Sequence, residues 1–147
     1  MKSPMTVQPQ GRARRRGVGA LVLLAPALLV LGVPLVARAS SNGCTAAPYG
    51  AACISVSGRG LRVEYVSVTR VKADPSFICN YQGRMTVTNS SGRVIEKRSS
   101  SRHKGCTTGT AWFDWDLRKD YPNNSKVCAS FLEGGIVQGT ACKKIHS

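Results

Sequence analysis

Six cysteines constrain this chain more than any other feature, and all of them, Cys44, Cys53, Cys79, Cys106, Cys128 and Cys142, fall after residue 43. An even count at wide spacing in a stretch of single-domain length reads as three disulfides formed in an oxidising compartment. A zinc site is the competing reading, and it needs close pairs such as C-x-x-C. The closest two cysteines here are nine apart, with only His103 and His146 to assist, so neither a metal site nor a cofactor is expected.

The residues before the first cysteine carry an export signal. Lys2, Arg12, Arg14, Arg15 and Arg16 stand in the first 17 residues without an acid, and no charge interrupts Val18 to Val36. Ala37-Arg38-Ala39 then supplies small residues at the −3 and −1 positions of a cleavage site. Residues 1–39 therefore read as a signal peptide, and Ser40 as the mature N-terminus. The apolar run could just span a bilayer, but Pro26, Gly32 and Pro34 break it and small residues end it, so no stable transmembrane anchor is expected. Arg14-Arg15-Arg16 leaves the twin-arginine route open. Lipidation of Cys44 is disfavoured by Asn42 and Arg38, and it would leave an odd cysteine.

The whole chain of 147 residues has a formal charge of +14, but six of its 21 Lys and Arg lie in residues 1–39 and none of its seven acids do. A partner of the mature protein meets +8. The mature length suits one domain: a short segment over 40–50 and a disulfide-stabilised β domain over 51–147.

Period-two alternation dominates that domain. In 77–87 the odd positions are Phe77, Cys79, Tyr81, Gly83, Met85 and Val87, against polar Asn80, Gln82, Arg84 and Thr86. In 107–117, Ala111, Phe113, Trp115 and Leu117 oppose Thr110, Trp112, Asp114 and Asp116. The run 61–71 changes phase, which a bulge near Tyr65 explains. Shorter strands are expected at 53–57, 94–98 and 126–132, and a last one at 136–145. Glu133-Gly134-Gly135 makes 126–145 a hairpin. No segment has apolar residues at helical spacing. About seven short strands predict an all-β fold, a small antiparallel sandwich of possible immunoglobulin-like topology, with a small barrel as the alternative.

Fifteen pairings are possible for six cysteines. An up-and-down strand order puts Cys79 near Cys106, Cys128 and Cys142 flank one hairpin, and Cys44 and Cys53 close a short loop. Sequential pairing is therefore favoured. Each such bridge is worth roughly 3 kcal/mol in the chain-entropy model, which is large beside the roughly 5–15 kcal/mol of a whole domain.

Chemistry is sparse. Nothing fixes the mutual geometry of His103 and His146 as an acid–base pair of a nuclease. Asp114, Asp116 and Asp120 resemble the start of a calcium loop, but Lys119 and Ser125 occupy positions that such a loop gives to Gly and Glu. No nucleophile elbow or P-loop is present. Two features invite a partner. Trp112 has the parity of the outer face, where an exposed Trp binds a sugar or a protein. Residues 93–104 carry Arg93, Lys97, Arg98, Arg102 and Lys104 against the single acid Glu96. With Ser99-Ser100-Ser101 among them they read as a loop suited to an anionic polymer, and the reference cations for it are Arg59, Arg62, Arg70 and Lys72. The stretch has no aromatics between its charges, which speaks against nucleic acid.

The block Phe77-Ile78-Cys79-Asn80-Tyr81, with Gly105-Cys106, Ala111-Trp112-Phe113-Asp114, Val127-Cys128 and Ala141-Cys142, resembles small exported proteins of actinobacteria. The resemblance implies export from a bacterium, where Asn89-Ser90-Ser91 and Asn123-Asn124-Ser125 are not ordinary glycosylation sites. It carries no activity. The expected function is a secreted non-enzymatic binding module acting on an anionic cell-surface polymer. The alternatives are a secreted inhibitor of an extracellular enzyme such as a protease, presenting a loop such as Tyr121–Ser125 to a secreted protein, and a small secreted nuclease.

Overall fold

A computed structural model describes residues 39–147 of the chain. The expected signal peptide lies outside the described residues except for Ala39. Nine strands follow in order: β1 (Ala39–Ala47), β2 (Gly50–Arg59), β3 (Arg62–Lys72), β4 (Phe77–Thr88), β5 (Val94–Ser99), β6 (His103–Thr108), β7 (Thr110–Asp120), β8 (Lys126–Glu133) and β9 (Ile136–Lys144). No helix occurs among the described residues. The strands form two antiparallel sheets, one ordered β1-β2-β3-β7 and the other β5-β4-β8-β9, with β6 also paired to β4. This is the expected all-β sandwich. Its first sheet opens with a sequential β1-β2-β3 meander, unlike the ABED sheet of an immunoglobulin domain.

Each sheet turns one face inward. Ile54 and Val56 of β2, Val66 and Val68 of β3, Met85 and Val87 of β4, and Val127, Ala129 and Phe131 of β8 are all buried. Tyr81, Phe113 and Phe131 gather at one end of this core with ring centroids 5.6–6.0 Å apart. Trp115 is buried beside them, and Gly83 makes room for it. A Cβ on Gly83 would lie 2.9 Å from Trp115 Cη2 and 3.0 Å from Phe113 Cδ2.

The expected phase change in β3 is present as a register shift between Val63 and Tyr65. Three other expectations need correction. The run 107–117 is not one strand: Gly109, at φ 73°, breaks it. β6 before the break pairs with β4 and β7 after it pairs with β3, so the chain changes sheets there. In β4 the alternation slips at Asn80, which has φ 49° and sits at a register shift against β6. Ile78 is therefore buried and Phe77 exposed, while the odd positions turn inward only from Tyr81. The segment 40–50 is not a mere approach to the domain, because β1 pairs with β2 along its whole length.

The three disulfides are Cys44–Cys53, Cys79–Cys106 and Cys128–Cys142, the sequential set. Each joins residues directly opposite one another on adjacent antiparallel strands. Every bridge thus lies within one sheet and none crosses the sandwich.

Polar contacts make the cross-sheet ties. Arg70 of β3 is fully buried. Its Nε donates to Glu133 Oε1 of β8 at 3.0 Å, its Nη1 to the carbonyls of Ala51 and Val71, and its Nη2 to that of Pro48. Lys72 reaches the other oxygen of Glu133 at 3.0 Å. At the opposite margin, Glu96 of β5 accepts from Tyr121 Oη at 2.7 Å and from Lys119 Nζ at 2.9 Å.

Candidate cationic face

Strand register determines which side chains share a face, because opposed residues in an antiparallel pair point the same way. On the five-stranded sheet, Met85 and Val87 point inward, so Arg84, Thr86 and Thr88 point outward. Thr86 stands opposite Lys97 of β5 and Cys128 of β8, and Thr88 opposite Lys126. Lys126 in turn stands opposite Lys144 of β9. The outer face therefore carries Arg84, Lys97, Lys126 and Lys144. No carboxylate shares it, since this sheet's two acids, Glu96 and Glu133, turn toward the other sheet in the contacts given above.

The two sheets differ in charge overall. Strands β4, β5, β6, β8 and β9 with their turns hold nine of the fifteen basic residues beyond Ala39 and only those two acids. The other sheet holds six basic residues and four acids, three of which lie on β7. There, Asp116 pairs with Arg118 at 3.0 Å and Asp120 with Arg62 at 3.6 Å. The aspartates of the possible calcium loop thus line one strand, and no cluster of potential metal ligands occurs among the described residues.

The basic stretch 93–104 is not a loop. β5 and β6 run in series along the same edge of β4, separated by the turn Ser100–Arg102. Lys97 faces outward. Arg98 turns to the margin, where its Nε contacts Glu96 at 2.8 Å and its Nη1 donates to the Asp116 carbonyl at 3.1 Å. Arg93, Arg102 and Lys104 are exposed and make no ion pair among the described residues. Hydrogen bonds anchor the turn itself: Ser100 N donates to the Gly83 carbonyl at 2.9 Å and Gln82 Nε2 to the Ser100 carbonyl at 2.7 Å. Partial burial pushes the Glu96 carboxyl up, but the hydrogen bonds from Tyr121, Lys119 and Arg98 outweigh it and hold the group below the ordinary carboxylate range.

Trp112 is 59% exposed, as its parity predicts. It stands on the outer face of the other sheet, opposite Thr69, which is opposite Cys53. The basic stretch and Trp112 therefore do not form one site. The reference cations also differ from expectation: Arg59 and Arg62 are exposed, whereas Arg70 is fully buried and Lys72 is held against Glu133.

His103 and His146 lie far apart. His103 is opposite Tyr81, and its ring lies 4.5 Å from the Tyr81 ring. His146 follows Lys144, whose row contains Thr88. Seven positions of β4 separate those rows, about 23 Å at the usual strand rise. The segment Tyr121–Ser125 exposes only Pro122, Asn123 and Asn124, because Tyr121 and Ser125 are buried. Ser125 Oγ closes the turn by donating to the Pro122 carbonyl at 2.6 Å.

Alternation alone did not single out Arg84, Lys126 and Lys144, because their importance depends on which strands are neighbours. At one end of the cationic sheet, a cleft of about 460 Å³ opens between the β4–β5 turn and the β8–β9 pair, lined by Thr88, Asn89, Ser90, Gly92, Asn124, Lys126, Cys142, Lys143 and Lys144.

No family model matches the chain, and no curated protein matches it. Among solved structures it is similar to an endonuclease/exonuclease/phosphatase from Beutenbergia cavernae DSM 12333, at 14% identity over 73% of this chain and with a TM-score of 0.45. The chain covers 27% of that protein, and no residue role follows from the similarity.

Proposed function

We propose that the protein is a secreted, non-enzymatic binding module that docks on anionic surfaces or polymers through the outer face of its five-stranded sheet. The observation that carries this reading is the segregation of charge: Arg84, Lys97, Lys126 and Lys144 share a face with no carboxylate. A face of one sign raises the local concentration of counter-charged partners and accelerates their association. Three disulfides accord with an extracellular location, where such surfaces are met.

The test is retention on heparin and on anionic vesicles over a salt gradient. Arg84→Ser with Lys97→Ser should elute at clearly lower salt than the wild type, since each neutralised anionic group contributes to the salt slope. Arg59→Ser with Arg62→Ser removes the same number of charges from the other sheet and should shift elution less. Equal shifts would show that net charge alone governs retention, and the face would lose its role.

A further inference from the structure

Lys126 and Lys144 face each other directly across the β8–β9 ladder. Opposed residues on an antiparallel pair hold their Cβ atoms about 4.5–5.5 Å apart, and like charges so placed repel. Neither lysine has a carboxylate partner among the described residues. Lys143, opposite the buried Val127, turns its side chain the other way, toward Gly43 of β1. The remaining wall is uncharged, with Thr88, Asn89, Ser90 and Asn124 beside Gly92 and the disulfide-bonded Cys142. Thr88 completes the Lys126 row. Asn89 spends its Oδ1 on the turn, accepting from Ser91 N at 3.1 Å, Ser91 Oγ at 2.8 Å and Arg93 N at 2.9 Å, which leaves its Nδ2 donors uncommitted. Ser90 adds a hydroxyl.

A concavity with two ammonium groups, an amide donor and hydroxyls matches a compact anion with several acceptor oxygens. Lysine binds phosphate as a point charge without demanding the planar fork that arginine presents to carboxylate. We infer that this cleft is a phosphate-binding site, and that it takes a phosphate group carried on a polyanionic chain whose further charges run along the Arg84 and Lys97 part of the face. The bound anion would offset the repulsion within the Lys126–Lys144 row. The inference rests on the proposed polymer-docking role for the identity of its ligand, but the cleft can be tested without it.

The probes are inorganic phosphate and a short linear polyphosphate, titrated into the mature protein with backbone amide shifts and calorimetry as readouts. In the wild type, the amides of Thr88, Ser90 and Lys126 should move with either probe, and polyphosphate should bind at least about tenfold more tightly, because more of its charges are neutralised. Lys126→Ser with Lys144→Ser should abolish the shifts and weaken polyphosphate binding by about tenfold or more, against about threefold for Arg84→Ser with Lys97→Ser. The lysine variant should unfold at the same or a higher temperature, which separates lost binding from lost fold. Undiminished binding by that variant, or shifts confined to other strands, would overturn the site. Inorganic phosphate binding as tightly as polyphosphate would overturn its assignment to a polymer. If the cleft shifts appear as expected while heparin retention ignores Arg84 and Lys97, the site stands and the face-docking role fails.

Discussion

Arg70 and Glu133 join the two sheets: a fully buried guanidinium on β3 donates to a carboxylate on β8 at 3.0 Å. The disulfides cannot make this link, because each lies within one sheet. Removing one partner of a buried pair leaves an uncompensated charge, at a cost of about 3–5 kcal/mol. Glu133→Gln should therefore lower stability to denaturant by about that much. Asp120→Asn, which breaks the exposed pair with Arg62, should cost about 0–1 kcal/mol. Similar losses in the two variants would show that the cross-sheet pair is no more than a surface contact.

The two tryptophans should behave oppositely. Trp115→Ala empties core space and should cost about 3–5 kcal/mol. Trp112→Ala, on the open outer face, should cost little. Gly83→Ala pushes a methyl group toward Trp115 and should destabilise by about 1–3 kcal/mol. In the wild type, a soluble quencher should reach one tryptophan and spare the other. Equal quenching would mean that the phase of β7 is wrong.

Glu96 and Tyr121 make stability depend on pH at both limits. The folded carboxyl of Glu96 titrates below its usual value of 4.5. Its contribution is present above that value and is lost as pH falls through the lower folded pKa. Burial raises the Tyr121 hydroxyl above its usual 10.0, and the hydrogen bond to Glu96 adds to the effect. Stability from this group is complete below that value and declines as pH rises past it toward the folded pKa. Denaturation midpoints should fall at both extremes, and Glu96→Gln should flatten the acid limb while Tyr121→Phe flattens the alkaline one. An unchanged acid limb in Glu96→Gln would assign acid sensitivity to another carboxylate.

The mature protein should begin at Ser40 and weigh six hydrogens less than its reduced form. Peptide mapping should recover Cys44–Cys53, Cys79–Cys106 and Cys128–Cys142. Removing the Cys79–Cys106 pair, which closes the longest of the three loops at a separation of 27, should cost most, about 3.6 kcal/mol in the chain-entropy model. Thiol labelling of the folded protein, or a diacylglycerol on Cys44, would contradict this.

Much of the fold was legible in the residues themselves. Alternation is a local property, so the strands, the bulge near Tyr65 and the opposite exposure of Trp112 and Trp115 could be read directly. The sequential disulfides were expected from an up-and-down strand order, but Cys79 meets Cys106 for a different reason: β5 and β6 run in series along the same edge of β4, which sets Cys106 opposite Cys79. The slip at Asn80 was hidden, because Phe77 and Tyr81 share a parity and only the left-handed backbone between them turns Ile78 inward. The break at Gly109 was hidden for a similar reason: β6 and β7 read as one continuous pattern until each finds a different partner.

What the sequence determined by itself was the class of fold, the in-or-out sense of most side chains and the sum of the charges. Only the tertiary structure decided where those charges meet. Arg70 reads like any other strand cation, and its burial depends on Glu133, 63 residues further along the chain. Lys97, Arg84, Lys126 and Lys144 likewise come from four strands, and each alternates correctly without revealing the others. Period-two patterning specifies only a side chain's relation to its own strand, whereas the charge of a face is a sum over strands that are neighbours in space and distant in sequence.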